Sequence, residues 1–206
     1  MPELAKATLL VASNNQGKIQ EYGDLLQDLP LRVTWPAREG LAGDPEETGA
    51  TFEENALIKA RYFARLAPCY VIADDSGLEV DALGGAPGIY SARFAGPGAS
   101  DAQRNQLLLA RLQGVPSEKR AARFQCVIAL VRPDQSESTY CGTREGCITL
   151  EPRGDRGFGY DPVFFVPELG KTFGELEPEI KNRWSHRAQA AARLLAALKS
   201  EHFRPS

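Results

Sequence analysis

Four short segments of this chain combine residue types suited to a phosphorylated, metal-bound ligand. In Ser13-Asn14-Asn15-Gln16-Gly17-Lys18, hydroxyl, amide and ammonium donors stand where an apolar stretch gives way to a helical one. The free N–H groups of a helix start there add to those donors and favour an anion. The spacing is not that of a P-loop, and a Ser/Asn-rich turn closed by Gly-Lys serves equally as a plain helix cap. The second group is acidic: Glu47, Glu54, Asp74 and Asp75 have no neighbouring His or Cys, a donor set that suits Mg²⁺ or Mn²⁺ over zinc. Taken singly, these carboxylates fit structural roles as well, Glu54 completing a capping box, Glu47 solvated, Asp74 capping a turn. Asp75 is harder to place that way. Asp-Asp-Ser-Gly directly after an apolar run predicts like charges meeting at a strand end, where a divalent cation relieves their repulsion.

The third segment is Phe158-Gly159-Tyr160-Asp161-Pro162, in which an aromatic beside glycine can lie flat on a base or, equally, pack as an apolar turn on the core. The fourth is Lys181-Asn182-Arg183-Trp184-Ser185-His186-Arg187. Ser185 reads as a helix N-cap, and the cations beside it oppose the helix dipole, which points to an anionic or electron-rich ligand.

The elements that must position these groups follow from periodicity. Leu9-Leu10-Val11 reads as a buried strand and Lys18 to Leu29 as a helix, with a second strand from Arg32 to Trp35 ended by Pro36. Thr51-Phe52-Glu53-Glu54 has the capping-box pattern and opens a helix whose buried face is Phe52, Ala56, Ala60, Phe63 and Ala64, with Asn55, Lys59 and Tyr62 on another face. Tyr70 to Ala73 is a short strand. Six glycines and two prolines between Gly77 and Gly98 predict a long loop, followed by a helix from Asp101 to Gln113. Paired strands are expected over Phe124 to Val131 and Ser138 to Leu150, an apolar strand over Val163 to Val166, and a closing helix from Ser185 to Ser200 with the stripe Ala191, Leu194, Leu195 and Leu198. Interleaved strands and helices define an α/β fold with a mixed sheet.

At 206 residues, with 43% hydrophobic and 25% charged residues, the chain is one globular unit with a full core, which excludes disordered and fibrous classes. Its net charge of -3 gives no positive field for a nucleic-acid duplex. That sum hides a segregation: Asp44 to Asp81 holds nine acids against Lys59, Arg61 and Arg65, whereas Lys181 to Arg193 holds four cations and no acid. Cys69, Cys126, Cys141 and Cys147 have neither CxxC nor zinc spacing, and no apolar run reaches 18 residues. A reduced, cytoplasmic chain without membrane contact is expected.

Six motifs, in order, resemble those of the inosine triphosphate pyrophosphatase family, which hydrolyses non-standard purine nucleoside triphosphates to the monophosphate and pyrophosphate. They are Ser-Asn-Asn-Gln-Gly-Lys, Glu-Glu-Thr-Gly-Ala-Thr-Phe-Glu-Glu-Asn-Ala, Ala-Asp-Asp-Ser-Gly-Leu, Gly-Gly-Ala-Pro-Gly-Ile-Tyr-Ser-Ala-Arg, Phe-Gly-Tyr-Asp-Pro and Lys-Asn-Arg-Trp-Ser-His-Arg, spanning Ser13 to Arg187. The resemblance implies that Ser13 to Lys18 hold the triphosphate, that Glu47 and Asp75 bind Mg²⁺ (or Mn²⁺), and that Asp75 is also the proton acceptor. It implies substrate contacts from Ser76, from Phe158, Gly159, Tyr160 and Asp161 around the purine, and from Lys181, His186 and Arg187 on base and phosphate. It further implies a homodimer and one bilobed domain over residues 1–206, an elongated mixed sheet flanked by helices with the active cleft between two lobes. Two other readings are a pyrophosphatase for modified pyrimidine nucleotides and a nucleotide-binding module without catalysis.

Overall fold

Leu9, Leu10 and Val11 are each at most 2% exposed in β1 (Thr8–Val11) of the computed structural model, which describes residues 7–200. A strand buried on both faces needs apolar residues at every position, which is why this run lacks alternation. It leads to α1 (Gln16–Leu25) and β2 (Arg32–Thr34), then α2 (Phe52–Leu66) and β3 (Tyr70–Val80). Next come α3 (Asp101–Arg111), β4 (Ala121–Val131), β5 (Glu137–Ile148), β6 (Phe164–Val166), β7 (Lys171–Thr172), α4 (Pro178–Trp184) and α5 (His186–Leu198). The sheet order is β2-β1-β3-β4-β5-β6-β7. It is mixed, with β1 parallel to β2 and β3, and β6 antiparallel to β5 and β7. The expected α/β class with a mixed sheet is the class observed.

The chain divides into two compact units. The first comprises the described residues up to Asp75, Cys126–Gly142 and those from Arg187 on. Here Leu9, Val11, Tyr70 and Ile72 pack with Tyr22 and Leu26 of α1 and with Ala190, Ala191, Leu194 and Leu198 of α5. Leu10, Ala12, Val71 and Ala73 turn the other way and pack against Ala56, Ala60, Phe63 and Ala64 of α2. This alternation along β3 decides where its acids go. The second unit comprises Ser76–Gln125 and Thr143–His186, with a core of Leu78, Val80, Leu108, Phe124, Ile148, Val163, Phe164 and Phe173.

Several boundaries differ from the sequence reading. Helix α1 begins at Gln16 because the Asn15 side chain accepts the Lys18 N–H at 3.1 Å, so Gly17 and Lys18 lie in its first turn. Glu54 does not close a capping box: Thr51 caps α2, but the Glu54 carboxylate accepts from the Ala50 N–H at 2.6 Å, drawing in the preceding loop. Strand β3 continues through Asp74-Asp75-Ser76-Gly77 to Val80, so these residues sit inside a strand rather than at its end. The glycine-rich stretch beyond it holds short 3₁₀ turns at Asp81–Leu83 and Gly88–Arg93. Lys181 and Arg183 belong to a separate helix, α4, started by Pro178 at its first position. Ser185 stands in extended conformation between α4 and α5 and closes α4 through its N–H to the Lys181 carbonyl at 2.9 Å.

Candidate active site

The two aspartates at the centre of β3 are adjacent in sequence and opposite in surroundings. Asp74 continues the Tyr70 and Ile72 face toward α1 and α5. Its Oδ2 meets Lys18 Nζ at 3.0 Å, Arg187 Nη2 at 3.1 Å and Cys126 Sγ at 3.7 Å. Burial opposes its charge, but Lys18, Arg187 and Lys59 outweigh burial and hold the carboxyl well below the usual carboxylate range. Asp75 continues the Val71 and Ala73 face toward α2, where the Asn55 side-chain amide donates to its Oδ2 at 3.2 Å. Burial pushes its carboxyl up to about 6. Glu47 adds to that shift, and Lys18, the Asn55 hydrogen bond and Lys59 oppose it. The like charge raising Asp75 is Glu47, and not the adjacent Asp74 to which the sequence pointed, because a pleated strand sends neighbouring side chains to opposite faces.

Glu47 lies in the loop before α2 and is ion-paired with Lys59, which shares the α2 face of Asn55. Burial lowers the Lys59 pKa, yet Glu47, Asp74 and Asp75 together raise it above the ordinary value. All these groups are hard oxygen donors or ammoniums. Among the described residues no group of three or more His, Cys, Asp and Glu is placed to hold an ion. Glu47 and Asp75 are carboxylates, oxygen donors of the kind that hard divalent cations take.

Of the Ser13–Lys18 segment, Asn14, Asn15 and Gln16 are exposed and Ser13, Gly17 and Lys18 partly so. The Ser13 hydroxyl accepts the Asn15 N–H at 3.2 Å, and no acceptor among the described residues takes the N–H of Gln16 or Gly17. Asn15 caps the helix, and the N–H groups of Gln16 and Gly17 stand open at its start.

Arg187 has the largest side chain among those almost wholly buried, at 1% exposure. It joins Asp74 to Glu21, whose carboxylate lies 2.5 Å from Nη1. The anions that its position beside a helix start called for are the protein's own, so its guanidinium holds α1, β3 and α5 together.

In the second unit, Phe158 is partly exposed, with Lys181 Nζ 4.6 Å from its ring centre. Asp161 is 2% exposed and fixes both: its Oδ2 accepts from the Phe158 N–H at 2.8 Å and from Lys181 Nζ at 2.5 Å. Gly157 has φ +75°, and a Cβ there would collide with that carboxylate, so only glycine lets the turn close on it. His186 is buried and stacks on Phe124 with ring centres 4.6 Å apart. Ser76 follows Asp75 on β3 and is partly exposed. Tyr160 is 3% exposed and its hydroxyl donates to the Ser91 carbonyl at 2.8 Å, which anchors the turn in the core.

The sequence reading missed five contributors. Asn55 and Lys59 were read only as a separate helix face, although their spacing on α2 was the signal. Glu21, Asp101 and Asn105 left no sequence signal. Asp101 Oδ2 accepts the Gly159 N–H at 2.6 Å and Asn105 Nδ2 donates to the Gly159 carbonyl at 3.0 Å, so the first turns of α3 hold the glycine beside Phe158 by both backbone groups.

An open mixed α/β sheet carrying a phosphate-type helix start, a buried carboxylate facing an acidic loop, and a cation-backed aromatic turn defines a nucleotide-processing class. The chain belongs to the Ham1 family, whose family model matches residues 9–197. A dITP/XTP pyrophosphatase of Yersinia pseudotuberculosis is 50% identical over 193 residues, covering 93% of this chain and 98% of that protein. The solved structure of the Staphylococcus aureus Ham1 protein matches with a TM-score of 0.84 at 44% identity, covering 95% of this chain and all of that one. A HAM1 protein from Coxiella burnetii matches with a TM-score of 0.85 at 43% identity over the same shares.

Proposed function

We propose that the protein hydrolyses the non-standard purine nucleoside triphosphates dITP, ITP and XTP to the monophosphate and pyrophosphate, removing them from the nucleotide pool. The observation that carries this reading is Asp75, a buried carboxyl raised to about 6 and facing Glu47 and Lys59, in a chain half identical to a dITP/XTP pyrophosphatase. A carboxylate of ordinary pKa, about 3.9, is a poor base at neutral pH, and one shifted to about 6 is matched to taking a proton from water.

Glu47 and Asp75 would hold a divalent cation, Mg²⁺ in the first place and Mn²⁺ in the second. When bound, such an ion offsets phosphate charge and acidifies water. Asn14 and the Gln16 and Gly17 N–H groups bind phosphate oxygens, with Ser13 and Ser76 adding hydroxyls and Lys18 an ammonium. Lys59, paired with Glu47 here, would be placed to meet a phosphate when that carboxylate holds the cation. Phe158 stacks on the purine, backed by Lys181 and fixed through Asp161. His186 donates to the 6-keto oxygen that hypoxanthine and xanthine carry and adenine lacks. A mismatched donor against adenine costs roughly 1–3 kcal/mol. Arg187 acts here by holding Asp74 and Glu21. The reading is of one domain with two lobes, and the active form is a homodimer in the cytoplasm without nucleic-acid partners. No helix among the described residues is long and apolar enough to cross a membrane.

The test is a product assay over dITP, ITP, XTP, ATP, GTP and modified pyrimidine triphosphates, with and without Mg²⁺. Metal-dependent pyrophosphate release, highest for dITP, ITP and XTP, is expected. Release of orthophosphate would refute the bond assignment, and a pyrimidine preference would refute the substrate class. Asp101→Ala, which frees the Gly159 N–H and removes the ion pair with Arg104, is expected to raise KM for dITP about tenfold with kcat nearly unchanged, since the loss loosens the base platform and not the reacting atoms. An unchanged KM would show that Phe158 does not depend on this clamp.

A further inference from the structure

Asn55 is a neutral side chain hydrogen-bonded to Asp75. It is 0% exposed, and its single planar amide spans two elements: Nδ2 donates to Asp75 Oδ2 at 3.2 Å, while Oδ1 accepts the Gly49 N–H at 2.8 Å. Gly49 lies two residues after Glu47, so this amide links the strand that carries one carboxylate to the loop that carries the other. The link is close. A Cβ on Gly49 would stand 2.7 Å from Asn55 Oδ1 and 2.6 Å from Glu54 Cβ, so the loop backbone reaches Asn55 only because residue 49 has no side chain. Two further bonds from α2 hold the same loop, Glu54 to the Ala50 N–H and Lys59 to Glu47. An amide bearing a donor and an acceptor on one rigid group serves both ends at once. A carboxylate of the same shape lacks the donor, and alanine lacks both.

We propose that Asn55 is a positioning residue that sets the placement of Glu47 against Asp75 and thereby the affinity of the site for its divalent cation. This rests on the reading that Glu47 and Asp75 bind that cation. Groups that orient ligating carboxylates typically change metal affinity about 10- to 100-fold when removed. A residue that merely anchors the loop would alter stability and leave the affinity of a folded protein in place.

The experiment is titration of the full chain with Mn²⁺ alone, followed by the electron paramagnetic resonance signal of the free ion, together with amide hydrogen exchange at Gly49 and Ala50. Asn55→Ala is expected to weaken Mn²⁺ binding at least about tenfold and to speed exchange at Gly49. Gly49→Ala is expected to reproduce the metal defect, because it pushes the loop off an intact Asn55, and the double variant is expected to be no worse than Asn55→Ala. Gly49→Ala also covers the case in which Asn55→Ala does not fold. Mn²⁺ affinity within twofold of the parent in either folded variant would overturn the inference, whatever happens to turnover. Failure of the underlying reading looks different: Glu47→Gln and Asp75→Asn would then also leave Mn²⁺ binding intact, and the inference would fall with it.

Discussion

Asp75→Asn is expected to lower turnover of dITP by about a thousandfold or more while raising the melting temperature of the metal-free protein at neutral pH. The activity loss follows from removing a group placed both to accept a proton and to hold the cation, since general-base removal alone typically costs about 10²–10⁴. The stability gain follows from the direction of the shift. The folded protein binds the Asp75 proton more tightly than the unfolded chain does, with a folded value of about 6 against an ordinary 3.8. Between those values the folded state carries the proton and the unfolded state does not, so stability falls as pH rises through that window. Above about pH 6 the accumulated cost is roughly 3 kcal/mol. The Asn variant never ionises and is spared that cost. Thermal unfolding in the presence of a chelator should therefore show little difference between parent and variant near pH 4 and a gain of about 5–10 °C for the variant near pH 7. Equal melting temperatures at both pH values would mean that Asp75 ionises in the fold without penalty. A thousandfold loss without the stability gain would leave its role as a ligand and remove the argument that burial tunes it as a base.

The second large effect is structural. Arg187→Met is expected to destabilise the protein by about 3–5 kcal/mol, because it strands Asp74 and Glu21 around a buried gap. Burial disfavours the charge on Arg187, but the two carboxylates raise its pKa well above the ordinary guanidinium value, so the cation is the form the fold requires. Lys18 still faces Asp74 in the variant and keeps the loss from being larger. Neutralising both acids in the same background, Arg187→Met with Asp74→Asn and Glu21→Gln, should recover part of the loss, since an apolar or neutral replacement of a whole buried ion group is far less costly than breaking it. A fall in melting temperature on the order of 10 °C for the single variant and a smaller one for the triple variant is the expected pattern. If the single variant melts with the parent and loses only its discrimination between dITP and ATP, Arg187 is a base contact and the internal ion group contributes nothing.

Much of the frame was legible from residue order because it depends on short-range periodicity and local caps. Leu9-Leu10-Val11 had to be buried whichever elements covered it, Asn15 and Thr51 had side chains that cap, and the apolar positions of α2 repeat at helical spacing. The rest depended on distant parts of the chain. Asp74 to Gly77 looks like the end of a strand because charged residues and glycine weaken strand propensity, yet β3 stays in the sheet between β1 and β4 through to Val80, with Lys18 of α1 and Arg187 of α5 meeting the Asp74 charge. Nothing near Tyr160 in the sequence shows that Ser91, far away in the chain, partners its hydroxyl.

What the sequence by itself determined is the inventory: a carboxylate group near residue 75, donors at a helix start, an aromatic turn, and a cationic segment whose charges nearly cancel the acidic one in the sum. Which charge meets which was decided only by tertiary structure. The pairs that fix the site are separated by 56, 113 and 166 positions for Lys18 with Asp74, Asp74 with Arg187 and Glu21 with Arg187. No local pattern encodes such distances. They follow from the pleat of β3, which turns Asp74 toward Lys18 and Arg187 and Asp75 toward Asn55, and so gives two identical side chains opposite proton affinities through the charges and the burial that each one meets.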